Sequence, residues 1–78
     1  MPGVTIYTTP ACPWCKMTKA FFQKHNVFYE EKDVASDLAA REEMVKKSEQ
    51  LGVPVIDVGG EIVVGFDEEK LRELLRIK

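Results

Sequence analysis

Residues 7–15 of the chain read YTTPACPWC. Cys12 and Cys15 within this stretch are the only two cysteines among 78 residues. They follow the run Val-Thr-Ile-Tyr at 4–7, which predicts a strand, and they stand where a helical pattern begins. A strand, a C-x-x-C pair and a helix in this order are typical of a thiol–disulfide redox site.

The position of the cysteine pair favours ionisation of a thiol. The start of a helix presents unpaired backbone N–H groups and the positive end of the helix dipole. Both stabilise a thiolate, which is the form that attacks a disulfide. The pattern therefore predicts a reactive pair.

Two other interpretations of the pair are weaker. A zinc site needs four ligands, or three ligands and a water molecule. The sequence has one histidine, His25, and no second C-x-x-C, so we expect no bound metal. We interpret His25 as a residue at the end of the first helix. An inert disulfide between Cys12 and Cys15 would close a very short loop and would restrain the unfolded chain little.

The whole sequence predicts one small domain over residues 1–78. Apolar residues make up 45 % and charged residues 31 %, which is typical of a globular protein. The net charge is −2 and no basic cluster indicates nucleic-acid binding. No apolar run approaches the roughly 20 residues of a membrane-spanning helix. Met1-Pro2-Gly3 lacks the basic and apolar regions of a signal peptide, so we expect a cytoplasmic protein.

The apolar periodicity and the turn residues predict the element order βαβαββα. The strands are predicted at 4–8, 27–33, 53–58 and 61–64, and the helices at 13–25, from Ser36 or Asp37 to 47, and from the cap Asp67 onward. Gly59 and Gly60 predict a tight hairpin turn. Strands that are separated by helices pair in parallel, so the sheet should be mixed, with helices on both faces.

The helical spacing also predicts which side chains are buried. The expected sets are Met17 and Phe21 in the first helix, Leu38 and Val45 with Ala39 or Ala40 and Met44 in the second, and Leu71, Leu74 and Leu75 in the third. Glu42–Lys46 and Glu43–Lys47 should form ion pairs on a solvated face of the second helix.

Three stretches of the chain resemble the glutaredoxins, which have the thioredoxin fold. They are residues 7–15, Gly52-Val53-Pro54-Val55 and Gly65-Phe66-Asp67, and the resemblance extends over essentially the whole length. It implies an α/β fold with a four-stranded mixed sheet flanked by three helices. It also implies a dithiol oxidoreductase in which Cys12 is the nucleophile, exposed at the helix start, and Cys15 is the buried resolving thiol.

Pro54 stands early in an apolar strand, where a proline is confined to the strand start or to an edge. The resemblance implies a cis proline instead. In that case the preceding residue, Val53, offers its backbone N–H and C=O groups to an extended substrate, which binds like an added strand.

The segment Gly65-Phe66-Asp67 is either an ordinary turn with a helix cap or part of a ligand site. The resemblance implies that the N–H groups of Phe66 and Asp67 receive the γ-glutamyl carboxylate of glutathione. The Asp67 side chain would then hold the glutathione ammonium. A helix N-terminus suits a carboxylate ligand.

The site departs from the family pattern at several positions. Many glutaredoxins have a basic residue where Thr9 stands, and Gly52 replaces a common threonine. Trp14 replaces a common tyrosine, while the dipeptide Pro13-Trp14 remains similar to the glutaredoxin motif. Gly-Phe before the last helix also occurs in NrdH-type redoxins. The resemblance implies that Thr9, Pro13 and Trp14 contribute to substrate binding.

The implied function is reduction of protein or glutathione mixed disulfides by a monomer, with glutathione as co-substrate and no permanently bound cofactor. Disulfide-containing proteins would be the targets. One alternative is an NrdH-type electron donor that is reduced by a thioredoxin-reductase-type flavoprotein. Another is an iron–sulfur carrier, against which Pro13 and Cys15 weigh. A third is an interaction module whose two thiols take part in no redox reaction.

Overall fold

The computed structural model describes residues 3–77. Three residues lie outside the described residues: Met1, Pro2 and Lys78. The first two belong to the segment from which we expect no signal peptide, and Lys78 is the last residue of the predicted domain. The elements within 3–77 are β1 (Val4–Thr8), α1 (Pro13–Lys24), β2 (Glu30–Asp33), α2 (Leu38–Ser48), β3 (Val55–Val58), β4 (Glu61–Val64) and α3 (Glu68–Leu75). Over the same residues, every helix is too short or too polar to cross a membrane.

The four strands form one mixed sheet in the order β2-β1-β3-β4. β1 pairs in parallel with β2 and antiparallel with β3, and β3 pairs antiparallel with β4. The turn between β3 and β4 is the predicted pair Gly59 and Gly60, with φ of 57° and 98°. These left-handed conformations suit glycine, which has no Cβ to clash. The predicted sheet and its hairpin are confirmed.

The two faces of the sheet carry separate cores. α1 and α3 cover one face, where the buried residues are Val4, Ile6, Phe21, Phe22, Val27, Ile56, Val58, Val63 and Leu71. α2 covers the other face, where they are Tyr7, Val34, Ala40, Met44 and Val55. Neighbours in a strand point to opposite faces, which is why Ile6 and Tyr7 lie in different cores. The prediction of helices on both faces is confirmed.

Two side chains that the periodicity predicted to be buried are exposed. Met17 is 48 % exposed, because the inner face of α1 is defined by Cys15, Thr18 and Phe22. The Thr18 hydroxyl donates to the Trp14 carbonyl at 2.8 Å, so this polar residue is buried with its hydrogen bond satisfied. Leu38 is 66 % exposed at the first position of α2.

On α2 the buried positions are Ala40 and Met44, one turn apart, and Val45 is half-buried beside them. In α3 Leu71 is fully buried, and Leu74 and Leu75 pack against it from partly exposed positions. The predicted face of α3 is therefore confirmed.

Two strands begin later than predicted. The chain leaves α1 with Asn26 at φ 56°, and the Val27 N–H donates to the Phe22 carbonyl at 2.8 Å. This hydrogen bond ties Val27 to the helix end, so β2 begins at Glu30 rather than at 27. β3 begins at Val55 rather than at 53, because Pro54 has no N–H to pair in the sheet.

A polar network fixes α2 to the sheet. The Tyr7 hydroxyl donates to Glu43, and Lys32 Nζ lies 3.0 Å from Glu43 Oε1. Lys47 Nζ lies 3.4 Å from Glu43 Oε1, which confirms this ion pair, and 2.8 Å from Asp57 Oδ2. The pair is not an isolated pair on a solvated face, since it connects α2 to β1, β2 and β3.

Protonation of Glu43 is expected to loosen this contact. The hydrogen bond from Tyr7 and the ammonium of Lys32 lower the pKa of Glu43 from its ordinary 4.5 to about 2. The lowered pKa stabilises the folded state above pH 4.5, and this contribution is lost as the pH falls from about 4.5 towards about 2. We therefore expect the urea midpoint of the native protein to fall over this range more steeply than that of Glu43→Gln.

The matched control is Glu42→Gln, at an exposed position on the same helix. The predicted ion pair between Glu42 and Lys46 is not among the ion pairs of residues 3–77. It should retain the steep fall of the native protein. Parallel pH profiles for the native protein and Glu43→Gln would contradict a stabilising role for the Glu43 carboxylate.

Candidate active site

Three separate stretches of the chain meet at one end of the sheet. Tyr7 pairs with Val55, and Val55 pairs with Val64. The residues that follow β1, precede β3 and follow β4 therefore emerge side by side. The Gly65 N–H donates to the Pro54 carbonyl at 2.8 Å and joins two of these segments. The topology thus brings together the segments that contain the predicted site residues.

Cys12 is the N-cap of α1. Its sulfur accepts a hydrogen bond from the Cys15 N–H at 3.1 Å, and its own N–H donates to the Thr9 carbonyl at 3.3 Å. Cys12 is only 7 % exposed, so the expectation of an exposed nucleophile was wrong. The reason is the cap itself, which turns the sulfur back over the first helical turn. In this position the sulfur is hydrogen-bonded to the backbone of the first helical turn.

Cys15 lies one turn further along α1 and is 1 % exposed, as predicted. Burial, together with the hydrogen bond to Cys12, raises the pKa of the Cys15 thiol to about 12. A backbone hydrogen bond from Thr9 and the ammonium of Lys19 act in the opposite direction. Cys15 is therefore a protonated thiol at neutral pH. The two cysteines differ in environment, although they lie on the same helical turn.

The bond between Val53 and Pro54 is cis, as the resemblance implied. Pro54 is buried and Val53 is half-buried. The preceding loop is held by the side-chain amide of Gln50, which accepts from the Gly52 N–H at 2.7 Å and donates to the Gly52 carbonyl at 2.9 Å. Both backbone groups of Gly52 are therefore occupied within the loop. Nothing in the sequence pattern indicated this role of Gln50.

The segment after β4 forms the predicted cap of α3. Gly65 has φ 81°, a conformation that favours glycine. Phe66 packs edge-on against Phe21, with ring centroids 5.8 Å apart. Asp67 Oδ1 accepts from the Lys70 N–H at 3.1 Å, which confirms Asp67 as the N-cap. The structure thus shows the capping role of Asp67, and its role towards glutathione stays a prediction.

The remaining predicted residues lie at the surface around Cys12. Pro13 is the first residue of α1 and is exposed, and Trp14 follows with 56 % exposure. Thr9 is half-buried and contacts both cysteines through its backbone. Within residues 3–77, no group of three or more His, Cys, Asp and Glu side chains is arranged to hold a metal ion.

Sequence reasoning missed a chain of polar contacts beside Cys15. The Thr8 hydroxyl donates to Glu31 Oε2 at 2.9 Å, and Lys19 Nζ lies 2.8 Å from the same oxygen. Lys19 stands four residues after Cys15 on α1, a spacing that places two side chains on one helix face. That spacing was visible in the sequence, but the partners from β1 and β2 were not.

The chain is similar to known proteins over most of its length. The family model described as Glutaredoxin matches residues 4–63. A protein of Clostridium pasteurianum named "uncharacterized glutaredoxin-like 8.6 kDa protein in rubredoxin operon" is 44 % identical over 72 residues, which are 92 % of this chain and 96 % of that protein. Glutaredoxin 3 of Escherichia coli K12 is 35 % identical over 68 residues, which are 87 % of this chain and 82 % of that protein.

Among solved structures, the T8A mutant of the thioredoxin-like protein BC3987 superposes with a TM-score of 0.93. It is 40 % identical, and the match covers 100 % of both chains.

Proposed function

Since the chain belongs to the glutaredoxin family, we propose that it is a thiol–disulfide oxidoreductase that works through the Cys12/Cys15 dithiol. One observation carries the proposal. The sulfur of Cys12 caps α1 and accepts the Cys15 N–H at 3.1 Å, while the thiol of Cys15 is buried beneath it. This asymmetry supports different roles for the two cysteines.

The reaction has two exchange steps. The Cys12 thiolate attacks a substrate disulfide, forms a mixed disulfide and releases one substrate thiolate. Cys15 then loses its proton to solvent and attacks the Cys12 sulfur. The second substrate thiolate leaves and takes up a proton, and the protein holds a Cys12–Cys15 disulfide. Two electrons have passed from the dithiol to the substrate, and an external thiol or a reductase returns them.

The surroundings of Cys12 fit a peptide or glutathione disulfide as substrate. Val53 precedes the cis bond at the same end of the sheet, where its backbone groups would pair with an extended substrate. Trp14 offers an exposed apolar side chain next to Cys12. The N–H groups of Phe66 and Asp67 at the start of α3 would receive the carboxylate of glutathione.

A second candidate is an NrdH-type electron donor that is reduced by a thioredoxin-reductase-type flavoprotein. Two observations favour it. Thr9 supplies no positive charge near the cysteines. Glu68 and Glu69 occupy the first turn of α3, where their carboxylates oppose a second anion.

We propose that the protein acts as a monomer in the cytoplasm. Thiols are kept reduced in that compartment, and disulfides there are transient and catalytic. The two cysteines of this chain, with their distinct environments, suit such a cycle.

Parallel turnover assays distinguish the two candidates. Oxidised protein is supplied with NADPH and either glutathione plus glutathione reductase or thioredoxin reductase, and NADPH oxidation is followed. We expect turnover with glutathione, and Cys12→Ser serves as the blank. Turnover with thioredoxin reductase alone would identify an NrdH-type donor. A rate equal to the blank with both reductants would contradict the proposed function.

A further inference from the structure

The ion pair Lys19–Glu31 lies beside the resolving cysteine and has no part in the mechanism described so far. Lys19 is one helical turn after Cys15, so both side chains lie on the same face of α1. Its ammonium lies 2.8 Å from Glu31 Oε2, and the Lys19 side chain is 28 % exposed. Lys19 is thus held in place rather than extended into solvent.

Glu31 is itself held by the sheet. Thr8 is buried at the end of β1, and its hydroxyl donates to Glu31 Oε2 at 2.9 Å. The same carboxylate oxygen therefore binds a hydroxyl from β1 and an ammonium from α1. This double contact holds the Lys19 ammonium against β1 and β2, on the face of α1 that also carries Cys15.

We propose that the Lys19–Glu31 pair tunes the ionisation of Cys15 in the resolving step. The Lys19 ammonium favours the Cys15 thiolate, and Glu31 both positions Lys19 and weakens its effect. The proposal rests on the proposed function, because it concerns the attack of Cys15 on a mixed disulfide at Cys12.

The charged groups around Cys15 and around the Lys19–Glu31 pair support this role of the pair. Cys12 on α1 faces Cys15 and opposes its ionisation while Cys12 is a thiolate. In the mixed disulfide Cys12 is neutral, so its opposition is removed, while the Lys19 ammonium still favours the Cys15 thiolate. Lys19 also faces Tyr29, and Glu31 also faces Asp33. The cation therefore acts at the stage of the cycle when Cys15 must lose its proton.

Stopped-flow reaction with less than one equivalent of the chromogenic disulfide DTNB separates the two steps. Attack by Cys12 releases the first thionitrobenzoate, and attack by Cys15 on the Cys12 mixed disulfide releases the second. The rate of the second release is measured from pH 6 to 9 in roughly 50 mM and 500 mM salt, because salt screens charge effects at partly exposed groups.

Removal of the two partners should change the second step in opposite directions. We expect Lys19→Met to slow the second release about two- to threefold at each pH. Glu31→Gln keeps an amide oxygen that can accept from Lys19 and Thr8 but removes the negative charge, so we expect it to accelerate the second release by about the same factor. The first release should change by less, and high salt should reduce both effects. Lys24→Met on α1 and Glu30→Gln on β2, which remove the same charges at exposed positions, should behave like the native protein.

The opposite signs separate electrostatics from structure. Both variants break the same ion pair, so a purely structural role would change the second release in the same direction in both. That outcome, or rates equal to those of the two controls, would overturn the proposal. A native protein that releases no second thionitrobenzoate would instead contradict the proposed function.

Discussion

Replacement of Cys12 by serine is expected to lower disulfide exchange by about a thousandfold or more, which is typical of the loss of a catalytic nucleophile. The remaining thiol cannot substitute for it. Cys15 is 1 % exposed, and burial raises its pKa to about 12, so few molecules carry a thiolate there at neutral pH. The measurement is NADPH-coupled reduction of a glutathione mixed disulfide, together with the first release of thionitrobenzoate.

A control measurement must show that Cys12→Ser still folds. Serine retains a side-chain oxygen that can cap α1, so Cys12→Ser should keep the native circular dichroism spectrum and unfold close to the native urea midpoint. A folded Cys12→Ser variant with native activity would show that Cys12 is not the nucleophile.

Replacement of Cys15 by serine should separate two activities. The first exchange step needs only Cys12, so a glutathione mixed disulfide should accumulate at Cys12, and glutathione-dependent turnover should continue. Reduction of a protein disulfide such as that of insulin needs the second step, and we expect it to fall about a hundredfold or more. Intact-mass spectrometry of the variant with oxidised glutathione checks the first expectation, and an insulin turbidity assay checks the second.

The contrast between the two serine variants distinguishes a dithiol mechanism from other uses of the pair. Equal loss of both activities in Cys15→Ser would contradict a monothiol route through Cys12. Native rates of insulin reduction in the same variant would show that Cys15 does not resolve the mixed disulfide.

Local sequence patterns predicted the element order and the local geometry of several candidate site residues. Asp37 and Asp67 cap α2 and α3 through their own side chains, and Gly59 and Gly60 adopt positive φ, so each effect is contained within a few residues. The C-x-x-C pair at the start of α1 is equally local. The resemblance to a family supplied the cis bond before Pro54, which the residues alone left open.

Features that depend on contacts distant in sequence could not be predicted in this way. Met17 was assigned to the wrong face, because the angle at which α1 packs on the sheet decides which side of the helix is covered. The contact of Lys19 with Glu31 spans 12 positions, and that of Thr8 with Glu31 spans 23. Such pairs follow from the parallel register of β1 and β2, which only the folded chain defines.

Partial alkylation of the reduced native protein tests the assigned roles of the cysteines most directly. A brief reaction with less than one equivalent of iodoacetamide at neutral pH is followed by trypsin. Since Lys16 is the first cleavage site, both cysteines lie in the peptide 1–16, and fragment ions that separate Cys12 from Cys15 locate the label. The proposed mechanism predicts that the label lies on Cys12 in at least about a tenfold excess. A label that lies mainly on Cys15, or equally on both cysteines, would contradict it.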